Sequence, residues 1–112
     1  MPIRVTHMTA TPQDASRALD EQLSALDRDA AELRAALREL EEDCASLETL
    51  AMDAVSRGED GAARDYLHEF ELRRDEVARI TADIRVVEAT AASYREAAAA
   101  LNARQVDMHP PE

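Results

Sequence analysis

The sequence predicts an all-α fold: an antiparallel two-helix coiled-coil hairpin that associates further into a helical bundle. Three observations lead there. Apolar residues recur every seven positions in both halves of the chain, the period of a coiled-coil seam. The only two glycines, Gly58 and Gly61, fall together near the middle of 112 residues. Prolines occur only at positions 2, 12, 110 and 111, so nothing outside that midpoint breaks a helix.

Residues 1–10 carry no period and read as a flexible leader. Ile3, Val5 and Met8 are too irregular for a membrane-binding amphipathic helix. The hairpin occupies 11–107. Thr11-Pro12-Gln13-Asp14 starts the first helix, with threonine at the cap, proline at the first helical position and Asp14 at the positive helix end. This helix is expected over about 12–57. Its seam has two rows: Leu19, Leu26, Leu33, Leu40, Leu47 and Ala54, then Leu23, Ala30, Leu37, Cys44 and Ala51. A turn over about 58–60 follows, with Gly58 in the left-handed conformation and Asp60 as the cap of the next helix.

The second helix, about 61–106, repeats the pattern. Ala63, Phe70, Val77, Ile84, Ala91 and Ala98 form one row, and Tyr66, Arg73, Ile80, Val87, Tyr94 and Leu101 the other. Pro110-Pro111 cannot continue it, and residues 108–112 read as a flexible tail. A single register lets both seams face each other: Leu47 opposite Phe70, Leu40 opposite Val77, Leu37 opposite Ile80, Leu33 opposite Ile84. In that register small meets large, Ala51 with Tyr66, Ala30 with Val87, Leu26 with Ala91, Leu19 with Ala98 and Ser16 with Leu101, which fills a core without voids. Glu41–Arg74 and Asp20–Arg95 are the expected cross-helix charge pairs. Arg28–Glu32, Arg38–Glu42 and Asp75–Arg79 are the expected pairs one turn apart, each worth a few tenths of a kcal/mol. A lone hairpin buries one stripe per helix, so a homo-oligomer or a protein partner is expected to cover the rest.

Composition excludes several functions. A net charge of -11 and a pI near 4.6 repel nucleic acid and anionic lipid. Aromatics are 3% and tryptophan is absent, which suits long helices rather than a thick core. Cys44 is the lone cysteine, so no internal disulfide can form, and its seam position makes it a small apolar residue. No catalytic, cofactor or metal site is read. His68 with Asp65, Glu69 and Glu71 has helical spacing, but no second histidine or cysteine joins it. Arg73 breaks the apolar seam opposite Cys44. Its expected solution is a stem along the seam with the guanidinium reaching Glu48 or Glu69; the functional reading is a docking point.

Contact residues are therefore sought off the seam. Leu50, Met52, Val55 and Leu67 lie close to the turn, and Leu72, Val86 and Ala100 follow a line on the second helix at fourteen-residue spacing. With Arg64 and Arg73, these are the candidate protein-interaction residues.

The stretch Gly58-Glu59-Asp60-Gly61-Ala62-Ala63-Arg64-Asp65-Tyr66-Leu67 resembles the turn motif of the phage-shock protein A family, which includes the vesicle-inducing protein of plastids and is related to ESCRT-III proteins. Gly58, Glu59, Asp60, Ala63, Arg64, Asp65 and Leu67 fit its pattern, and the alanine-rich approach through Ala51 and Ala54 is similar. The likeness covers residues 45–105. It implies a shortened hairpin that contacts partner proteins and neighbouring subunits. The family's membrane-inserting amphipathic helix has no counterpart in residues 1–10, so direct membrane binding is not expected.

The expected function is a non-catalytic bacterial adaptor or assembly element acting in membrane-stress or regulatory complexes. Its expected place is the cytoplasm, peripheral to the inner membrane through a partner. The alternative is a small acidic secretion or assembly chaperone that masks a partner's hydrophobic segment.

Overall fold

The computed structural model describes residues 11–107, with side chains as far as Arg104. The expected leader over 1–10 and tail over 108–112 lie outside the described residues. Two long helices, α1 (Pro12–Ser56) and α2 (Asp60–Asp107), pack against each other as a hairpin.

The start of α1 is a capping box. The Asp14 backbone N–H donates to Thr11 Oγ1 at 3.1 Å, and the Thr11 N–H donates to Asp14 Oδ2 at 3.2 Å. The Thr11 carbonyl accepts from the Ala15 N–H at 3.0 Å, so threonine is the cap and Pro12 opens the helix. These bonds favour the charged carboxylate and hold the Asp14 pKa below its ordinary 3.8. A carboxyl whose folded pKa is lowered supports the fold above its unfolded value and loses that support as pH falls through the folded one. Asp14→Asn is therefore expected to reduce helicity at neutral pH. The difference from wild type should vanish once the solution is acidic enough to protonate Asp14. Circular dichroism across that range checks it, and a difference that persists in acid would contradict the carboxylate's role.

The turn lies one residue earlier than the sequence suggests. Gly58 has φ 73°, its N–H donates to the Val55 carbonyl at 3.0 Å, and the Glu59 N–H reaches back to the Ala54 carbonyl at 2.8 Å. This pair of bonds is a Schellman closure. The Glu59 carbonyl in turn accepts from the Ala63 N–H at 3.0 Å, so Glu59, not the expected Asp60, occupies the cap position of α2. One residue ends the first helix and begins the second, leaving the turn at 57–59. Asp60 becomes the first helical residue, where its charge still suits the positive helix end.

The two glycines differ accordingly. A Cβ on Gly58 would meet nothing within 4 Å, so only its positive φ resists substitution. Gly58→Ala should cost about 1 kcal/mol. Gly61 lies inside α2 with equally open space and no positive φ, and Gly61→Ala should gain about 0.5–1 kcal/mol. Thermal melts that shift both variants in one direction would contradict this division.

Close packing groups the hairpin into two units. In the unit formed by residues 29–87, Ala30, Ala51, Ala54, Ala63 and Ile84 are buried. The other seam residues, from Leu33 to Val87, are half-buried. Surface grooves in this unit are lined from both helices, one by Leu33 with Val87 and one by Leu47 with Arg73. The unit formed by residues 11–28 with 88–107 buries Ala91 and half-buries Leu19, Leu23, Leu26, Tyr94, Ala98 and Leu101. Here Arg95 donates to Asp27 Oδ1 at 3.1 Å rather than pairing with Asp20. Helical side chains lean toward their own N-terminus. In antiparallel helices Arg95 and Asp27 lean toward one another, whereas Arg95 and Asp20 lean apart.

The other expected charge pairs do not close. Arg74 lies over the Phe70 ring, 6.0 Å from its centroid, instead of meeting Glu41. Arg28–Glu32, Arg38–Glu42 and Asp75–Arg79 are not among the ion pairs of the described residues. All are solvated positions where such a contact gains little over hydration.

Candidate protein-contact surfaces

Among the described residues, the large apolar side chains left exposed are Leu50, Met52, Val55, Leu67, Leu72 and Val86. These are the six apolar positions that the sequence singles out, and all lie in the unit of residues 29–87. Ala100, the last member of the expected helix-two line, is exposed too but lies in the other unit.

The six do not form one patch. Relative to the seam, Glu48, Met52 and Val55 of α1 share a flank with Leu67 of α2. Together with Ala51, Asp53 and Ser56 they line a groove beside the turn. Met52 is 66% and Val55 61% exposed, while Ala51 forms the groove's floor at 3%. Arg64, one turn before Leu67, is exposed on the same flank. Leu50 belongs to the opposite flank. Its closeness in sequence to Met52 conceals a difference of more than half a helical turn in direction, and it does not line the groove.

The opposite flank carries Leu50, Leu72 and Val86, and its charge is one-sided. Helical position places Asp29, Glu32, Glu39 and Asp43 of α1 there with Asp65, Glu69, Glu76 and Asp83 of α2. Within residues 29–87 only Arg57 and Arg79 oppose them from flank positions. Arg57 is committed to Asp53 at 4.0 Å. The turn-groove flank instead mixes Arg34, Arg38, Arg64, Arg74 and Arg85 with Glu41, Glu48, Asp60 and Glu71. Net charge alone conceals this lateral segregation. Reading the off-seam positions at heptad spacing, rather than the overall balance, would have exposed it.

Arg73 is half-buried and resolves its seam position locally. Its guanidinium lies 3.8 Å from Glu69 and 3.4 Å from Glu76 on its own helix. Glu69 was one of two expected partners; the other, Glu48, points to the opposite flank and is not used. Arg73 lines a small groove with Asp43, Ser46, Leu47 and Glu69. Its charge is thus already balanced, which leaves less of it for an incoming ligand. Cys44 is a half-buried free thiol.

His68 is exposed, and no group of three or more metal-ligating side chains occurs among the described residues. No described helix is long and apolar enough to cross a membrane. Comparison with family models, with curated proteins and with solved structures finds no match for this chain.

Proposed function

We propose that this chain is a non-catalytic coiled-coil adaptor or assembly element, a reduced hairpin of the phage-shock protein A type. It acts by protein–protein contact in bacterial membrane-stress or regulatory complexes. The observation that carries this reading is the groove beside the turn. Its apolar rim of Met52, Val55 and Leu67 stays in water although the same helices bury their seam, and such surfaces mark contact sites. The half-buried leucines favour association for the same reason: two helices cannot enclose a leucine row, and a second pair of helices can.

Solution mass by light scattering across a range of protein concentration tests this. A discrete dimer or tetramer agrees with an adaptor that presents a defined surface. Heterogeneous rods or rings would overturn it in favour of a self-assembling membrane scaffold.

A further inference from the structure

The flank opposite the turn groove has its own chemistry. Near the middle of the hairpin, Leu33, Val86 and Val87 form an apolar floor rimmed by Asp29, Glu32 and Asp83. Every ionisable side chain of that rim is a carboxylate, and Val86 is 65% exposed. Leu72 lies on the same row two heptads toward the turn, with Arg79 between them, beside the Glu69 and Glu76 that hold Arg73.

We propose that this flank docks a basic amphipathic helix, whose apolar stripe lies over the floor of Leu33, Val86 and Val87 and whose lysines or arginines meet the carboxylate rim. The proposal rests on the reading of the chain as a protein-contact element and gives its second surface a partner chemistry. Charge selects the occupant. A second copy using the same flank would set carboxylate against carboxylate, which is repulsive. A second copy offering its turn-groove flank would bring nearly as many carboxylates as guanidinium groups, a poor complement. Nucleic acid and anionic lipid are excluded by the same rim. A helix with apolar residues three and four apart satisfies the floor and the rim together.

The test uses the full chain and a fluorescent peptide of about five helical turns, with leucines on one stripe and lysines beside them. One control has the same composition scrambled; another replaces the lysines by glutamates. Anisotropy titration should show the striped basic peptide binding at least about tenfold more tightly than either control, and less tightly as salt rises. Val86→Ser, and separately Glu32→Gln with Asp83→Asn, should each weaken it about tenfold, a typical effect of losing one central contact. Leu67→Asp on the other flank should leave the peptide's affinity unchanged. Equal binding of the scrambled peptide, or indifference to Val86→Ser, would overturn the proposal, since either means unspecific charge attraction. A mass increase without peptide that Val86→Ser abolishes would also overturn it, making a second copy the occupant. None of these failures touches the turn groove, which Leu67→Asp tests separately.

Discussion

Ile84→Asp is expected to abolish the cooperative melting of the hairpin, with most of the helical signal lost at 25 °C. Ile84 is 9% exposed, and it is the one large side chain in a buried core otherwise made of alanine among the described residues. Removing its branched side chain alone costs about 2–5 kcal/mol in a packed core. A carboxylate in its place must either stay charged without a partner or take up a proton, and both add to the loss. Marginal folds have about 0.05–0.15 kcal/mol of stability per residue, and a hairpin two helices thick has little to spare. Val86→Asp makes the matched control: the same new carboxylate two residues on, at a solvated position, should change stability by less than about 0.5 kcal/mol. Equal melting curves for the two variants would mean that the seam is not where the heptads place it.

On the proposed function, Leu67→Asp should leave the helical signal intact and reduce capture of a protein partner at the turn groove by at least tenfold, about 1.4 kcal/mol or more. Leu67 is exposed, so folding does not depend on it. In the groove it faces the Met52 and Val55 side, and a carboxylate there would have to be desolvated by any apolar ligand. Arg64→Glu, one turn away, should act in the same direction through charge. Leu50→Asp is equally exposed but lies on the other flank, and it should not affect capture at the turn. Loss of capture in Leu50→Asp with retention in Leu67→Asp would reverse the surface assignment.

How far these features can be read from sequence depends on the energies behind them. The seam is legible because burial repeats. Each expected seam position, from Ser16 in one helix to Leu101 in the other, is buried or half-buried. Many layers must agree, and a one-position slip would expose all of them at once. The left-handed Gly58 is legible too, because few residues tolerate φ 73°. The cap position is not. Glu59 and Asp60 are adjacent acidic residues, and only the bond from the Ala63 N–H to the Glu59 carbonyl decides between them.

Side-chain pairing is the least legible feature. Arg95 selects Asp27 over Asp20, and Arg74 selects the Phe70 face over Glu41, on differences of a few tenths of a kcal/mol and on the lean of each side chain. The exposed apolar residues were all visible in the sequence as off-seam hydrophobes. Their division between two flanks was not, because Leu50 and Met52 are neighbours in the chain but not around the helix.

If the chain works by presenting its turn groove to another protein, that protein lies within crosslinking reach of the groove in the cell. The most direct test is photocrosslinking in the cells that make it, with a photoreactive residue at Val55 and, as control, at Ala35 on the exposed outer face of α1. A discrete adduct is expected from Val55, with a mass that is not a multiple of the 12.4 kDa chain, and none from Ala35. The same adducts from both positions, or adducts from Val55 only at multiples of the chain mass, would contradict it.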